Sequence, residues 1–491
     1  MPEQQQQEKK PIQTYRYNNF LGGWSTQPIE KAGLGQMQDW LNFRINRQGY
    51  LEPRKGYAKL GSSNLGGNML GLGYHYGGGT VGAYFIAVSS TGKIYRIIND
   101  GTYTATEIGT GFNTSFLWNF IEYDDATPTP IVIGLNGTNV PQKFKKDGTM
   151  AALGGSPYSG AHGFVYKGCV FIAHPSNPNI WFSGQLTPEV VSANSPILPP
   201  VGSNEHVTGM AYSGGVPIVF YHDSIWAIYG STPAEFYPVQ RAEVGCGWWR
   251  SVATNGQDIF FVSTGGHVMR YNYARGIENI GREIHSSIRG VTGSVCRGWW
   301  NPVSREYWLS VNEGSASVAT HTYIWNEEGY WLRYDIATQS AVYVERYTIP
   351  GEKKGKIFFG RSDANYLYWH DPDGTTTQDD GADMVCSVKT PWTMYGMADT
   401  MKRTGWFNVI GNCSSATDFN FKTHFRNIPR GAAATGSPET VTYTASSLPQ
   451  TKALTHTIEG REFCHEFTGD QKTFLDEIAV GIEITRYDRR T

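Results

Sequence analysis

The sequence predicts an all-β protein: a degenerate β-propeller of about seven blades, followed by a small antiparallel β-sandwich domain. Three observations predict this fold class. Glycine is frequent, at 58 of 491 residues, and aromatic residues reach 14% while charged residues make up only 17%. Such a composition favours strands and turns, because aromatic rings pack well on a pleated sheet and glycine adopts turn conformations without a steric penalty. The third observation is a hairpin pattern that recurs along the chain.

The hairpin is clearest at residues 258–272, where two apolar, β-prone runs flank a pair of glycines. Two such runs around a glycine pair indicate a β-hairpin. An isolated hairpin is marginally stable in water, so its apolar face must be covered by a neighbour. We therefore expect Phe260, Val262 and Val268 to be buried and to hold adjacent blades together.

Seven units of this kind follow one another. Their first apolar runs begin near residues 83, 130, 169, 217, 258, 305 and 356. A period of roughly 40–50 residues with several short strands per unit is typical of a β-propeller, whose blades stack in a ring because one small sheet cannot bury both faces. The units lack the recurring signatures of WD40, kelch and sialidase blades, so the propeller is degenerate. The alternative is an unrelated series of hairpins in a β-sandwich.

Changes in composition and pattern along the sequence predict the domain boundaries. These are a flexible arm at 1–14, a segment at 15–62 that packs on or closes the propeller, the propeller at 63–380, and the sandwich domain at 381–491. Since propellers often complete one blade with strands from both ends of the chain, we expect residues 49–60 to pair with the last unit near 356–369. Residues 28–43 are the best candidate for a helix, which two glycines weaken.

The net charge and the cysteine spacing limit the classes of function that the chain can have. The net charge is −2 without a long basic run, which argues against a dedicated nucleic-acid binder. A chain that only lines a passage for DNA does not need a basic surface. The six cysteines are isolated from one another, which predicts reduced and mostly buried thiols in a protein made in the cytoplasm. We expect no signal peptide and no membrane span.

Several groups of residues are candidate sites, and each also has a structural interpretation. The candidates are a calcium loop at Asp371, Asp373, Gly374, Asp379 and Asp380; a metal site at His174, His222 and His267; glycosidase carboxylates at Glu122, Asp124, Asp125 and Glu243; and an isolated His162. The structural interpretations are a solvated linker, turn histidines and unpaired carboxylates. We expect them to hold, so the sequence predicts no catalytic residue, no cofactor, no metal site and no enzyme.

Two tryptophan pairs remain, Trp248-Trp249 and Trp299-Trp300. Adjacent residues of a strand point to opposite faces, so one ring of each pair can enter a blade interface while the other forms a contact surface. The alternative is that both rings of each pair belong to the core.

The opening segment carries a family resemblance. It contains an Asn-Phe-x-Gly-Gly start at 19–23, then Leu-Asn-Phe at 41–43, then Gly-Tyr-Leu-Glu-Pro-Arg-Lys-Gly-Tyr at 49–57. With a degenerate propeller and a small β domain after it, this segment resembles the tail hub or nozzle proteins of short-tailed bacteriophages, including those called packaged-DNA stabilisation proteins. A second likeness lies in 244–247, 258–263, 266–268 and 280–284.

The resemblance implies a structural virion protein in the phage tail, assembled in the host cytoplasm. Such a protein forms a homo-oligomeric ring, usually of six copies, below the portal and adaptor proteins. The ring continues the channel for phage DNA, retains the packaged genome and supports a needle, fibres or spikes. A weakly acidic lumen would let DNA slide without adhering. The alternative function is a carbohydrate-binding or carbohydrate-cleaving propeller, for example a receptor-binding tail component.

Overall fold

A computed structural model gives the fold. It describes residues 12–27, 35–77, 81–124, 130–191, 196–200, 202, 205–291, 293–314, 316–345, 355–370, 376–395, 400–413, 415–427, 432–444, 446–454, 457–470 and 472–487. Most of the predicted arm at 1–14 lies outside these residues. In the described part, no helix is long and apolar enough to cross a membrane. The chain is divided into two compact units: Tyr57–Gly329 with Asp335–Thr376, and Met1–Gly56 with Tyr330–Tyr334 and Thr377–Thr491.

Seven of the sheets are the blades of a propeller, each a four-stranded antiparallel sheet. The first blade consists of Met69–His75, Tyr84–Ser89, Ile94–Ile98 and Ala105–Gly109, the second of Asn119–Asp124, Pro130–Leu135, Gln142–Lys145 and Met150–Ala152, and the third of His162–Tyr166, Cys169–Ala173, Ile180–Gly184 and Thr187–Val191. The fourth blade consists of Val207–Ser213, Val216–Tyr221, Ile225–Tyr229 and Tyr237–Ala242, and the fifth of Ala253–Thr254, Asp258–Val262, Val268–Asn272 and Gly276–Asn279. The sixth blade consists of Arg297–Asn301, Glu306–Val311, His321–Asn326 and Trp331–Tyr334, and the seventh of Thr338–Val344, Lys356–Arg361, Leu367–His370 and Tyr57–Lys59.

The first strands of the blades form a closed ring. Each contacts the first strand of the next blade, and the strand Thr338–Val344 of the seventh blade contacts Met69–His75 of the first. The predicted closure is confirmed for the last part of residues 49–60: Tyr57–Lys59 pairs antiparallel with Leu367–His370 and supplies the outer strand of the seventh blade, whereas Leu51–Pro53 pairs with Phe43–Ile45 in the other unit. The amide of Leu60 continues the pairing by donating to the carbonyl of Leu367 at 2.8 Å.

All seven predicted hairpins are present, and each forms the second and third strands of a blade. Phe260, Val262 and Val268 are fully buried, as expected. The Phe260 ring stacks on Trp300 and Tyr307 of the next blade, with centroids 5.3 Å and 5.1 Å away. Such stacking adds to the burial of apolar area, so Phe260 joins two blades as the sequence predicts.

The second unit contains two antiparallel sheets. One has the central order Phe43–Ile45, Leu51–Pro53, Thr473–Tyr487, Thr400–Cys413 and Ser446–Leu454, with Gln13–Tyr17 and Glu459–Gly460 beside it. The other has the order Asp39–Leu41, Val385–Lys389, Glu462–Asp470, Thr417–Arg426 and Ala434–Thr435, with Glu439–Tyr443 beside it. Phe407 of the first sheet contacts Phe421 and His465 of the second.

Strands of the N-terminal segment therefore belong to two different units. Its strands Gln13–Tyr17 and Leu51–Pro53 pair with Thr473–Tyr487 in the two-sheet unit, whereas Tyr57–Lys59 belongs to the propeller. The sequence pattern does not show which strand belongs to which unit, because all three strands are short. The helix candidate at 28–43 is wrong in its described part, where Asp39–Leu41 is a strand paired with Val385–Lys389.

Helical structure is confined to short connections in the described chain. An α-helix spans His285–Arg289, and 3₁₀ turns span Pro233–Glu235 and Gly293–Val295. All six cysteines are buried thiols outside any disulfide, as predicted. Burial raises the pKa of Cys246, Cys296 and Cys464 to about 12, which keeps these thiols protonated at neutral pH.

Candidate functional site in the central channel

The central channel of the propeller contains a cavity of about 380 Å³, lined by residues of all seven blades. The first strands of neighbouring blades run parallel along it. A Cβ atom at Gly71 would meet Trp118, and one at Gly73, two residues further, would meet Phe120, also two residues further. Residues near the start of the first strands consequently lie towards one end of the channel, and residues near the end of those strands lie towards the other.

Two arginines line this cavity, Arg250 before the first strand of the fifth blade and Arg297 at the start of the first strand of the sixth. The backbone brings them together, because the amide of Gly298 donates to the carbonyl of Arg250 at 2.9 Å. A Cβ at Gly298 would lie 1.9 Å from the carbonyl oxygen of Ser251. Only glycine permits so close an approach of the two blades, which places the arginines side by side.

Neither arginine forms an ion pair with a described residue. Arg297 is only 9% exposed, and its one side-chain hydrogen bond within the described part of the chain is from Nη1 to the carbonyl of Cys296 at 2.8 Å. The Arg250 guanidinium lies 3.8 Å from the centroid of the Trp249 ring. Burial lowers the pKa of Arg250 to about 9, and burial together with the neighbouring Arg250 charge holds the pKa of Arg297 well below its ordinary value. Both stay cationic at neutral pH.

His162 and the tryptophans complete the site. His162 begins the first strand of the third blade, is 4% exposed, and meets the Trp249 ring edge-to-face with centroids 4.9 Å apart. Burial, together with the charge of Arg250, lowers the pKa of His162 to about 3, so the imidazole is neutral. Trp299 lines the same cavity and contacts the Trp308 ring at 4.4 Å.

The predicted division of the tryptophan pairs is present in the sixth blade. Trp300 enters the blade interface at Phe260, whereas Trp299 faces the cavity. In the fifth blade Trp249 lines the cavity, and Trp248 packs against Gly293. One ring of each pair, Trp249 or Trp299, thus faces the central channel, a surface that a strand pattern alone does not distinguish from the outside of the protein.

The three histidines considered for metal binding occupy separate environments. His174 Nε2 lies 2.9 Å from the carbonyl of Gly137, exposed His222 pairs with Asp223, and His267 stacks on His285 with centroids 4.3 Å apart. Over the described residues, no group of three or more His, Cys, Asp or Glu side chains has the arrangement of a metal site.

The carboxylates considered as calcium ligands or glycosidase residues also do not form one site among the described residues. Asp379 binds Arg54 through both oxygens, with distances of 2.9 Å and 2.5 Å, and Asp371, Asp373 and Gly374 lie outside the described residues. Of the glycosidase candidates, exposed Glu122 lines the cavity and Glu243 is exposed elsewhere in the propeller. Asp125 and the Asp124 side chain lie outside the described residues.

Sequence reasoning missed both arginines of the site. The signal available was their position beside the tryptophan pairs, since Arg250 follows Trp248-Trp249 directly and Arg297 precedes Trp299-Trp300 by two residues. An arginine beside an aromatic pair, in a chain with few charges, is typical of a cation that packs on rings. The two arginines had to be placed in neighbouring blades before they could be recognised as one site.

Comparisons with known proteins add little to this description. No protein-family model matches the chain, and no curated protein matches it. Among solved structures, the WD40 β-propeller domain of Doa1 is 12% identical with a TM-score of 0.42, covering 66% of this chain and 99% of that one. The computationally designed Ika8 protein is 9% identical with a TM-score of 0.38, covering 64% and 100%. Chaetomium thermophilum Raptor is 10% identical with a TM-score of 0.44, covering 65% and 30%. The propeller assignment therefore depends on the strand pairing described above.

Proposed function

We propose that this chain is a structural protein of a bacteriophage tail, a hub or nozzle without enzymatic activity. It forms a homo-oligomeric ring of about six copies below the portal and adaptor proteins. The ring continues the DNA channel, retains the packaged genome and supports a needle, fibres or spikes. The protein resides in the virion after assembly in the host cytoplasm.

The observation that carries this proposal is the structural role of the segment with the family resemblance. Phe20 is fully buried. Gly23 has φ +63°, and a Cβ there would lie 2.6 Å from the carbonyl oxygen of Trp331. A Cβ at Gly56 would lie 2.0 Å from that of Gln378. These positions are constrained by packing, so a likeness at them favours a shared architecture over chance.

Arg54 of the same segment is the centre of a buried polar cluster. Its side chain is 1% exposed, and it bonds Asn42 Oδ1 at 2.9 Å as well as the Asp379 carboxylate. The Arg54 guanidinium also lies 5.5 Å from the centroid of the Tyr334 ring. The segment that carries the resemblance therefore stabilises the interior of the protein. This favours a structural role, which is the role of tail hubs and nozzles.

The size of the central cavity bears on where DNA would pass. At about 380 Å³ it falls in the range of small-molecule sites, and side chains of all seven blades occupy the channel around it. A DNA duplex is too wide for such a space, given that its major groove alone is about 12 Å wide. In the proposed assembly the DNA passage is therefore the lumen between copies of the chain.

Electron microscopy of the purified protein, together with light scattering, tests the proposal. The expected result is a closed ring of about six copies with an open lumen, and the same protein in purified phage particles located between portal and tail tip. A protein that stays monomeric at all concentrations and is missing from purified virions would contradict it.

The alternative function is a carbohydrate-binding propeller, for which an aromatic recess provides the support. Residues 156–159, His174 and Trp181 line it, and the Tyr158 and Trp181 rings stack with centroids 3.7 Å apart. Aromatic faces bind the apolar face of sugars. Glycan-array binding by wild type that is lost in Trp181→Ala would favour this function, and absence of binding would remove it.

A further inference from the structure

The unsatisfied polar groups of the channel cavity are mainly hydrogen-bond donors. The Nε atoms of Arg250 and Arg297 and the indole nitrogen of Trp299 are buried, and none has a partner among the described residues. His162 Nε2 is in the same condition. Arginine and tryptophan side chains only donate, and a neutral imidazole nitrogen can donate. A ligand that satisfies this lining must accept hydrogen bonds.

The cavity also has an uncompensated positive charge. Two guanidinium groups line it, while the described residues contribute one carboxylate, that of Glu122. Glu122 is exposed and is the fourth residue of its strand, whereas His162 and Arg297 begin theirs. Burial raises the pKa of Tyr76, which follows the end of the first strand of its blade, and the nearby Glu122 charge raises it further, so Glu122 lies towards the opposite end of the channel. A buried charge without a partner is costly, and an anion between the guanidiniums would remove that cost.

We propose that the central channel of the propeller is a binding site for a small oxyanion, a phosphate or carboxylate group held between Arg250 and Arg297. Trp299 donates a further hydrogen bond from its indole nitrogen, and His162 donates from Nε2. Guanidinium groups bind such oxygens in pairs, and the tryptophan rings shield the bonds from water. This site is independent of the proposed role in a tail, because the cavity lies within a single chain.

Calorimetric titration at low ionic strength tests the site, with inorganic phosphate and acetate as separate probes and chloride as the background ion. We expect saturable binding of one equivalent per chain, and the stronger of the two probes shows whether the natural ligand carries phosphate or carboxylate. Arg250→Gln and Arg297→Gln should each weaken binding at least tenfold. Exposed Arg282→Gln, in the loop after the fifth blade, is the matched control and should bind as wild type does.

Thermal unfolding supplies a second readout that does not depend on finding the best ligand. Arg297→Met removes an unpaired buried charge but keeps the apolar stem, so the melting temperature without added anion should rise, while the increase produced by phosphate should disappear. The proposal is overturned if neither probe binds, if both arginine variants bind as wild type does, or if Arg297→Met lowers the melting temperature. A concentration-dependent oligomer that Arg297→Gln abolishes, without ion binding, would also overturn it, because an acidic side chain of another copy would then fill the site.

Discussion

Buried polar side chains hold the interior of the two-sheet unit together. Arg54 binds Asp379 and Asn42 in one cluster, and His465 lies between the Tyr395 hydroxyl at 2.6 Å and the Thr423 hydroxyl at 3.2 Å. Water forms hydrogen bonds with these groups in the unfolded chain, whereas in the folded chain each depends on its protein partner. Loss of one partner would leave another polar group buried alone, which costs more than the lost bond.

Arg54→Ala should lower the free energy of unfolding by about 3–5 kcal/mol, because it leaves the Asp379 carboxylate without its buried partner. Urea denaturation monitored by circular dichroism measures the change. Arg403→Ala is the control, since Arg403 and Glu459 form an exposed pair that contributes about 0–1 kcal/mol. Equal effects of the two substitutions would contradict the buried role of Arg54.

His465 should make the protein sensitive to acid. Burial lowers its pKa to about 3 in the folded state, compared with about 6.5 in an unfolded chain. Between these values only the unfolded state binds the proton, so stability is full above pH ~6.5 and is lost as pH falls towards ~3. His465→Gln should flatten this decline by an amount on the order of a few kcal/mol, measured as urea midpoints from pH 7 to pH 4. His222→Gln, at an exposed histidine, should leave the slope unchanged.

Single residues of the core and the tryptophan pairs were predictable from the sequence, whereas the two arginines of the site were not. Phe260 sits in an apolar run whose period requires burial, so its contact with the next blade follows from local pattern. Arg250 and Arg297 are 47 positions apart, and a local pattern contains no information about which blades adjoin in space. The sequence does not indicate a role for His162, because its partner Trp249 belongs to another blade.

Strands of a blade differ in how clearly the sequence marks them. The second and third strands are covered on both faces by neighbouring blades, so they appear as apolar runs, and all seven hairpins were predicted. The first strands face the channel and carry polar residues and glycines, as in Met69–His75 with Gly71 and Gly73. Fourth strands such as Gly276–Asn279 are partly exposed, although Trp331–Tyr334 is mostly buried. Only strands that are buried on both faces form apolar runs, so the sequence predicted the second and third strands of each blade but not the first and fourth.

Ala58→Pro should open the propeller at its closure. Ala58 pairs with Trp369, two residues from the bonded pair Leu60 and Leu367, and antiparallel bonds alternate, so its amide is expected to point at the partner strand. Proline removes that donor. We expect a lower melting temperature and faster amide hydrogen exchange in Leu367–His370. Ala432→Pro, at an exposed position outside the strands, is the control, and unchanged exchange in Ala58→Pro would contradict the closure.

The whole molecule is assembled from strands distant in sequence. Gln13–Tyr17 pairs with Thr473–Tyr487 in one unit, and Tyr57–Lys59 pairs with Leu367–His370 in the other. The repeat predicted the propeller, because its period is a property of the chain itself. The membership of the N-terminal strands in the two-sheet unit was not predictable, since three-residue strands such as Phe43–Ile45 carry too few residues for a pattern.

Burial of all six thiols gives a prediction for the intact protein. A thiol-specific reagent such as Ellman's reagent should modify none of the six cysteines in the native protein at pH 8 and all six after denaturation, because protonated, buried thiols do not react. Rapid modification of one cysteine in the native protein would show that its surroundings open in solution, and peptide mass mapping would identify it.

The closing strand also fixes an order of events during synthesis. Tyr57–Lys59 leaves the ribosome about 300 residues before its partner Leu367–His370 exists. At translation rates of roughly 5–20 residues per second, its edge has no partner for roughly 15–60 s. Six blades can form in that interval, but the ring stays open until the seventh is translated. We expect the nascent chain to need protection of this exposed strand edge, so its yield on expression should respond to translation speed and chaperone supply.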